Sequence, residues 1–236
     1  MDWVTDSARQ EQFLWIYGPA GSGKSSIAQT VAEYCEQKGL LASDYFFSRT
    51  APGRNTDTNL VPTLACQLTV SIPDICAHVA AAIRSDSLIF SRSLQTQLDA
   101  LVVRPFAQCV LASKHNKGNA YPNLIIIDGL DECQPPDSQR HILSSLSSAC
   151  RNSSIPIIFL LASRPEQTIR EVFNGELNVH TRRLVLDDKY YPNKDIEIYL
   201  HSKFGDIKRN HPLALHIPVD WPSTSDVEFW KTCTLL

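Results

Sequence analysis

A glycine-rich stretch near the amino end constrains the fold of this chain more than any other segment. Residues 13–17, FLWIY, are an apolar run that predicts a buried strand. Residues 18–25, GPAGSGKS, match the pattern G-x-x-x-x-G-K-[ST] in full. Apolar residues recur at helical spacing from Ile27, and Gly39 stands where that helix would end. The stretch therefore predicts a strand, a tight loop and a helix in direct succession.

The composition of this loop suits a polyphosphate. Glycines let the backbone turn tightly, so that successive N–H groups can face phosphate oxygens, and the helix adds its positive amino end. We expect Lys24 to reach the β- and γ-phosphates and the Ser25 hydroxyl to ligate Mg²⁺. Ser26 is interpreted as a helix-start residue. The predicted nucleotide-binding residues are Gly18, Pro19, Ala20, Gly21, Ser22, Gly23, Lys24, Ser25 and Ser26.

A second signal is the segment 123–132, NLIIIDGLDE. Four consecutive apolar residues predict a strand that is buried on both faces, and Asp128 closes it. At that position Asp128 would hold Mg²⁺ through water, across from Ser25. Glu132 is the first choice, and Asp131 the second, for the carboxylate that orients or deprotonates an attacking water. The alternative is an acid pair that only stabilises a helix start.

Arginines follow two other predicted strands. Residues 155–162, IPIIFLLA, predict the next buried strand, and Arg164 follows its carboxyl end, where open α/β sheets bind ligands. Arg164 would sense the third phosphate; the alternative is a helix-start arginine that faces water. Arg49 and Arg54 follow the predicted strand 40–47, and they would either touch phosphate or stay solvated in their loop.

Periodicity and capping residues predict the remaining elements, and together they indicate one α/β domain. Three predicted helices carry a signal at a particular residue: Thr56 or Asp57 caps 56–71, Pro73 opens 73–83, and Pro105 interrupts 94–115. The other predicted helices are 138–151, 166–173 and 191–204. The last predicted strand is 177–186.

Composition excludes several classes of protein. The 236 residues allow one α/β domain with a substantial core, and a net charge of −3 provides no basic field that would favour nucleic acid. Seven cysteines without C-x-x-C spacing predict reduced thiols of a cytosolic protein. No apolar run is long enough to cross a bilayer, and the polar amino end is not a signal peptide. We expect a cytoplasmic protein, or the soluble part of a membrane-associated complex.

GPAGSGKS, IIIDGLDE and LLASRPE, in this order and at this spacing, resemble the NACHT domain of STAND-class P-loop NTPases, in particular the nephrocystin-3-like type found in fungi. The likeness spans about residues 12–204. It implies a three-layer P-loop NTPase fold with a parallel sheet of order 5-1-4-3-2 and helices on both faces. It also implies that Gly18 to Ser25 form the phosphate loop, Asp128 the Mg²⁺ acid, Asp131 and Glu132 the acidic pair, and Arg164 the sensor arginine.

Domains of this kind bind ATP, sometimes GTP, with Mg²⁺ and hydrolyse it slowly. They act as switches in which exchange of ADP for ATP permits oligomerisation. The resemblance therefore implies a nucleotide-dependent signalling switch with protein partners or self-association, in which Lys24, Asp131, Glu132 and Arg164 are catalytic. One alternative is a non-catalytic interaction module that nucleotide stabilises. A less favoured one is a small-molecule kinase, which needs a lid with arginines and an acceptor pocket.

The expected division is an amino-terminal segment 1–12, a NACHT domain 13–188 and the start of a helical subdomain at 189–236. NACHT domains usually continue into a winged-helix domain and then into repeats, and neither follows here. We therefore expect a bare or truncated module.

Overall fold

Five parallel strands form the central sheet of the computed structural model, which describes residues 2–6, 8–115, 121–152, 155–187, 192–212, 216–218 and 221–223. The order across the sheet is β2-β3-β4-β1-β5, which is 5-1-4-3-2 when read from the other edge, and each pairing is parallel. The predicted α/β class with a parallel sheet is confirmed. The strands are β1 (Phe13–Tyr17), β2 (Leu41–Phe46), β3 (Leu124–Asp128), β4 (Ile158–Ser163) and β5 (Thr181–Val185).

Helices connect these strands. The described helices are α1 (Asp2–Thr5), α2 (Lys24–Gln37), α3 (Leu60–Ser71), α4 (Cys76–Ser85), α5 (Leu94–Leu98), α6 (Arg104–His115), α7 (Pro136–Asn152), α8 (Gln167–Asn174) and α9 (Pro192–Asn210). Short 3-10 helices lie at Asp57–Asn59, Pro73–Ile75, Ile89–Ser91, Leu130–Glu132 and Asn178–His180, and a π-helical segment lies at Asp99–Val103.

Both faces of the central strands are covered. Odd-numbered residues of β1, β3 and β4, such as Trp15 and Ile127, belong to one core cluster with side chains from α3 to α8. The intervening residues, such as Ile16 and Ile126, are buried outside that cluster, and α2 contacts β2, β3 and β4. Because successive strand residues point to opposite faces, α2 covers the face that the core cluster leaves.

The first predicted helix is confirmed at both ends. α2 begins at Lys24, and Gly39 follows its end with a φ of +66°, a left-handed conformation that glycine adopts without steric cost. The Leu40 N–H then bonds the Cys35 carbonyl at 2.8 Å, which closes the end of the helix. This geometry leads the chain directly into β2.

Two prolines set boundaries that the apolar patterns missed. β4 begins at Ile158 and not at Ile155, because Pro156 has no N–H for the strand ladder. The helical pattern predicted over 94–115 is interrupted next to Pro105, because regular α-helix begins again at Arg104 and Pro105 lies in the first turn of α6. The irregularity is the π-helical segment Asp99–Val103 immediately before α6.

Two other predictions about helices and strands need correction. Neither Thr56 nor Asp57 caps a helix through its side chain, because a 3-10 turn, Asp57–Asn59, precedes α3. The last predicted strand, 177–186, is shorter in the structure because a 3-10 turn occupies its first part, so β5 covers only Thr181–Val185.

The chain divides into two compact units, Met1–Val185 and Leu186–Leu236. In the second unit, α9 continues to Asn210, and Phe204 packs edge to face on Trp221 with ring centroids 5.1 Å apart. Tyr191, the predicted start of this helix, lies outside the described residues, as do 189–190, 213–215, 219–220 and 224–236 of the predicted subdomain. None of the helices in the described ranges combines the length and apolarity needed to cross a membrane.

Candidate functional site

Parallel pairing brings three chain segments to one edge of the sheet. Tyr17 at the end of β1 pairs with Ser163 of β4, and Asp128 at the end of β3 pairs with Ala162. The Trp15 indole N–H also donates to the Ser163 hydroxyl at 2.9 Å, which fixes the ends of β1 and β4 together. The loop after β1, the acidic segment after β3 and Arg164 after β4 therefore leave the sheet side by side.

The loop after β1 has the backbone shape that its glycines predict. Gly21 has a φ of +74° and Gly23 a φ of +84°, and Gly23 directly precedes α2. Other side chains rarely adopt this left-handed conformation. A Cβ added at either glycine would meet no atom within 4 Å, so open space lies next to the backbone there. A ligand can approach the main chain closely at both positions.

Lys24, the first residue of α2, folds its side chain back over the loop. Its ammonium donates to the carbonyls of Gly18 at 3.0 Å and Pro19 at 2.6 Å, and to the Ser22 hydroxyl at 3.2 Å. Partial burial lowers its pKa, while the nearby carboxylate of Asp131 acts in the opposite direction. The cation is held by neutral oxygen atoms only, which leaves its charge available to an anion.

Asp128 is the buried acid at the end of β3, with 4% of its surface exposed. Burial raises its pKa, and the nearby Ser25 hydroxyl and Gly129 N–H oppose that rise. The carboxylates of Asp131 and Glu132 raise the pKa further. The structure thus places the predicted hydroxyl and the predicted acid at the same cavity, where a bound cation would offset the cost of burying the carboxylate.

Asp131 is bound to the strand end beside it. The Arg164 N–H donates to one Asp131 carboxylate oxygen at 2.9 Å, and the Arg164 Nε lies 3.4 Å from the other. The Asp131 side chain is only 4% exposed, whereas that of Arg164 is 48% exposed. Asp131 therefore anchors Arg164, whose guanidinium reaches solvent and the cavity.

Glu132 is bound to the loop after β2. One of its carboxylate oxygens accepts the Arg49 N–H at 2.8 Å, and the Gln134 N–H donates to the Asn55 carbonyl at 2.7 Å. The Arg49 side chain donates to the carbonyl of Asp131 at 3.4 Å. The loop at 48–55 is therefore tied to the acidic segment, and Arg49 acts there mainly through its backbone.

These residues surround one cavity of about 290 Å³, which we call the loop pocket. Gly18, Pro19 and Ser22 do not line it, and they hold Lys24 instead. Arg49 is not among the lining residues either, and Arg54 lines a separate cavity with Pro52. The residues that line the loop pocket are Ala20, Gly21, Gly23, Lys24, Ser25, Ser26, Asp128, Gly129, Asp131, Glu132 and Arg164.

One supporting residue had no signal in the sequence. Gln139 of α7 is fully buried, and its amide donates to the carbonyls of Asp131 at 3.3 Å and Cys133 at 3.0 Å. It also accepts from the Thr168 hydroxyl at 3.0 Å, so it links the acidic segment to α8. A glutamine inside an amphipathic helix has no spacing that would identify this role.

Comparison with known proteins adds one finding. The family model described as "Nephrocystin 3, N-terminal" matches residues 1–164, which is more than half of the chain. The matched region contains the loop after β1 and the acidic segment, and it ends at Arg164. The search of curated proteins gave no match.

Proposed function

The chain belongs to the nephrocystin 3, N-terminal family, and from that premise we propose that it is a nucleotide-dependent signalling switch. In this proposal the loop pocket binds a nucleoside triphosphate, ATP or GTP, together with Mg²⁺. Slow hydrolysis then changes the state of the pocket and controls oligomerisation or the binding of a protein partner.

The observation that carries the proposal is that Ser25 and Asp128 line the same cavity, with the Ser25 hydroxyl near enough to lower the pKa of the Asp128 carboxyl. Ser25 belongs to the glycine-rich loop and Asp128 to a strand more than a hundred residues later, so only the fold brings them together. A hydroxyl and a carboxylate on either side of a small space are the protein ligands that Mg²⁺ takes beside phosphate oxygens.

The donor set fits Mg²⁺ rather than a metal held by protein alone. Among the residues that the structure describes, no group of three or more His, Cys, Asp or Glu side chains could hold a metal ion. Mg²⁺ commonly keeps several waters and binds through one or two carboxylates plus substrate phosphates. When bound, it would neutralise phosphate charge, and Ser25 and Asp128 would be its protein ligands.

The cations of the pocket have separate roles in this proposal. Lys24 exchanges its loop carbonyls for the β- and γ-phosphates, since a charge-assisted hydrogen bond is stronger than a neutral one. Arg164, which Asp131 anchors, extends its exposed guanidinium to the third phosphate. Loss of that phosphate then changes the charge beside the Arg164–Asp131 pair, which gives the protein a way to sense hydrolysis.

Glu132 is the better candidate for orienting the attacking water. Asp131 accepts both a backbone N–H and a guanidinium, whereas Glu132 accepts one backbone N–H and retains partial exposure at the pocket. The remaining contact from Arg49 would have to loosen before Glu132 turns to a water. This requirement agrees with slow turnover.

A non-catalytic module is the second candidate, and the same contacts favour it. Both acids that would act on water are engaged by protein donors. If neither is released, bound nucleotide only stabilises the fold by mass action. Tight retention of triphosphate with no phosphate release over hours would select this second candidate.

The first test is to identify the nucleotide that co-purifies with the protein by mass spectrometry, followed by calorimetric titration with Mg·ATP and Mg·GTP. Lys24→Ala should weaken binding by about 10- to 150-fold, the equivalent of the loss of charge-assisted hydrogen bonds. Lys38→Ala, at the other end of the same helix, removes an equal charge outside the pocket and should leave affinity unchanged. Equal affinity in wild type and Lys24→Ala would contradict the proposal.

A second variant separates the two candidates. Glu132→Gln keeps the size of the side chain and its hydrogen bond to Arg49, and it removes the charge that would act on water. A switch predicts that phosphate release falls while triphosphate affinity stays within about a factor of three. A non-catalytic module predicts no phosphate release from either protein.

A further inference from the structure

A second cavity lies away from the loop pocket, along the free side of β2. β2 is at one edge of the sheet, and among the strands that the structure describes it pairs with β3 alone. The second half of α2, the edge strand and α3 line this cavity together with Pro122, and its volume is about 620 Å³. We call it the edge groove. It shares helix α2 with the loop pocket, which uses only the first residues of that helix.

The edge groove is acidic. Glu33 and Glu36 of α2 and Asp44 of β2 line it, and none of the described residues that line it is basic. The Glu33 carboxylate accepts from the Gln29 amide at 2.9 Å, and Asp44 accepts from the Gln67 amide at 3.1 Å. Glu33 and Asp44 thus have neutral donors, and the groove attracts a positive charge.

A buried hydroxyl in the groove has no hydrogen-bond partner. Ser43 is 2% exposed and lines the cavity, and its Oγ is unpaired. Buried polar atoms are normally hydrogen-bonded, and a buried polar atom without a hydrogen bond lowers the stability of the fold. The oxygen has almost no accessible surface as it stands, so an occupant that donates to it would remove that cost once the Ser43 side chain turns toward the cavity. The groove therefore carries an unused polar contact besides its charge.

Apolar surface completes the groove. Val70 is 78% exposed on the rim, and Ala32 and Leu41 also line the cavity. Lysine and arginine combine an aliphatic stem with a cationic head, and they cover apolar surface with the stem while the head remains polar. That combination fits an apolar floor beside two glutamates. A bare metal ion fits less well, since the described residues include no group of three or more potential metal ligands.

Strand addition to β2 does not explain the groove. The Asp44 N–H already donates to the Gln67 side chain at 2.6 Å, and the Ala42 carbonyl accepts from the Ser71 hydroxyl at 2.7 Å. Two side chains of α3 thus occupy backbone groups that an added strand would need. An occupant must be recognised by its side chains.

We propose that the edge groove binds a lysine- or arginine-bearing segment of a protein partner. The cationic heads lie against Glu33 and Glu36, the stems cover Val70, and one ammonium or guanidinium donates to the Ser43 hydroxyl. This interface goes beyond the proposed nucleotide switch, because no residue of the loop pocket takes part in it.

Two cysteines of the chain provide an internal test. Cys66 is exposed and lines the edge groove, whereas Cys76 is exposed at the start of α4 and does not line it. Both thiols of the intact chain are alkylated with iodoacetamide in the absence of nucleotide, and mass spectrometry measures the rate at each cysteine. The probe is acetyl-KVKVKVK-amide, with acetyl-EVEVEVE-amide as its acidic counterpart. At about ten times its Kd, the basic peptide should slow Cys66 about tenfold and leave Cys76 unchanged.

Charge variants then locate the contact. Glu33→Gln and Glu36→Gln should each raise the peptide concentration for half-protection about two- to fivefold, as expected for partly exposed ion pairs. Asp137→Asn removes one equal charge at an exposed position of α7 and should have no effect.

Several results would overturn the proposal. These are protection by the acidic peptide, equal protection by spermine, or no protection at about 1 mM basic peptide, a concentration that detects even weak binding. An equal effect of Asp137→Asn would attribute binding to the general field of the protein. Alkylation of Cys66 without peptide as slow as that of buried Cys35 would show that the groove is already covered.

Discussion

The loop pocket and the edge groove share helix α2, yet they treat buried polar groups in opposite ways. In the loop pocket, Asp131 is almost fully buried and each of its carboxylate oxygens contacts Arg164. In the edge groove, Ser43 is equally buried and its hydroxyl contacts no donor or acceptor. The first site is assembled within the protein, whereas the second leaves a contact to be made by something else.

This difference suggests how each site balances stability against function. Paired groups hold the loop pocket in a defined geometry before any ligand arrives, which the proposed positioning of a phosphate and a water would require. An unpaired group lowers stability until an occupant satisfies it, which favours a site for reversible binding. Removing the paired charge of Asp131 and removing the unpaired hydroxyl of Ser43 should therefore change the stability of the free protein in opposite directions.

The largest effect is expected at Asp131. Asp131→Asn keeps the shape of the side chain but removes its charge from the contact with Arg164. Without nucleotide, the free energy of unfolding should fall by about 1.5 to 3 kcal/mol, the usual worth of a hydrogen bond to a charged group. Urea denaturation measures it. Asp137→Asn, an exposed acid at the start of α7, should cost less than about 1 kcal/mol. An unchanged unfolding free energy for Asp131→Asn would mean that the pairing with Arg164 is not formed in solution.

A smaller effect of opposite sign is expected at Asp128. Burial raises the pKa of this carboxyl in the folded protein. As pH rises, the unfolded state loses this proton first, so the group lowers the unfolding free energy above the ordinary pKa of an aspartate. Asp128→Asn should therefore be more stable than wild type near neutral pH, and the difference should shrink toward pH 4. Thermal unfolding across pH without nucleotide measures it.

Magnesium provides the control for that prediction. Addition of Mg·ATP should raise the thermal midpoint of wild type more than that of Asp128→Asn, because ligand that binds only the folded state stabilises it. The difference in stability between Asp128→Asn and wild type should then narrow or reverse. If Asp128→Asn is less stable than wild type at neutral pH without ligand, then the buried Asp128 carboxylate does not destabilise the ligand-free protein.

Many of the residues that line the loop pocket could be predicted from the sequence because local patterns mark them. Glycines before Lys24, a hydroxyl after it and an acid at the end of an apolar strand are all local patterns, and the structure brings Ser25 and Asp128 together. The strand and helix that carry the loop, Phe13–Tyr17 and the start of α2, are also local and were predicted at their observed bounds.

The sequence does not predict contacts that use main-chain groups or contacts between side chains of different elements. The contact of Glu132 with Arg49 uses a backbone N–H, which every residue except proline carries, so no residue type indicates it. The edge groove combines side chains of α2, β2 and α3 that share no spacing. Pro156 was visible in the sequence, but its effect on the start of β4 depends on the ladder that forms beside it.

The smallest effect is expected at Ser43, and its sign tests the comparison most directly. Ser43→Ala removes a buried hydroxyl that has no partner, so the free energy of unfolding should rise by up to about 1 kcal/mol. Ser71→Ala is the matched control in the same groove, because its hydroxyl donates to the Ala42 carbonyl. The free energy of unfolding of that control should fall by about 1 kcal/mol, the net contribution of an ordinary hydrogen bond. Urea denaturation of both variants measures the two signs.

The same substitution should weaken the binding that the groove is proposed to perform. If a lysine or arginine donates to the Ser43 hydroxyl, Ser43→Ala should reduce protection of Cys66 by the basic peptide about two- to tenfold. A protein that becomes more stable and a worse binder through one lost oxygen would show that the unpaired group is kept for its partner. A loss of stability in Ser43→Ala would mean instead that the hydroxyl is already satisfied, and the contrast between the two sites would disappear.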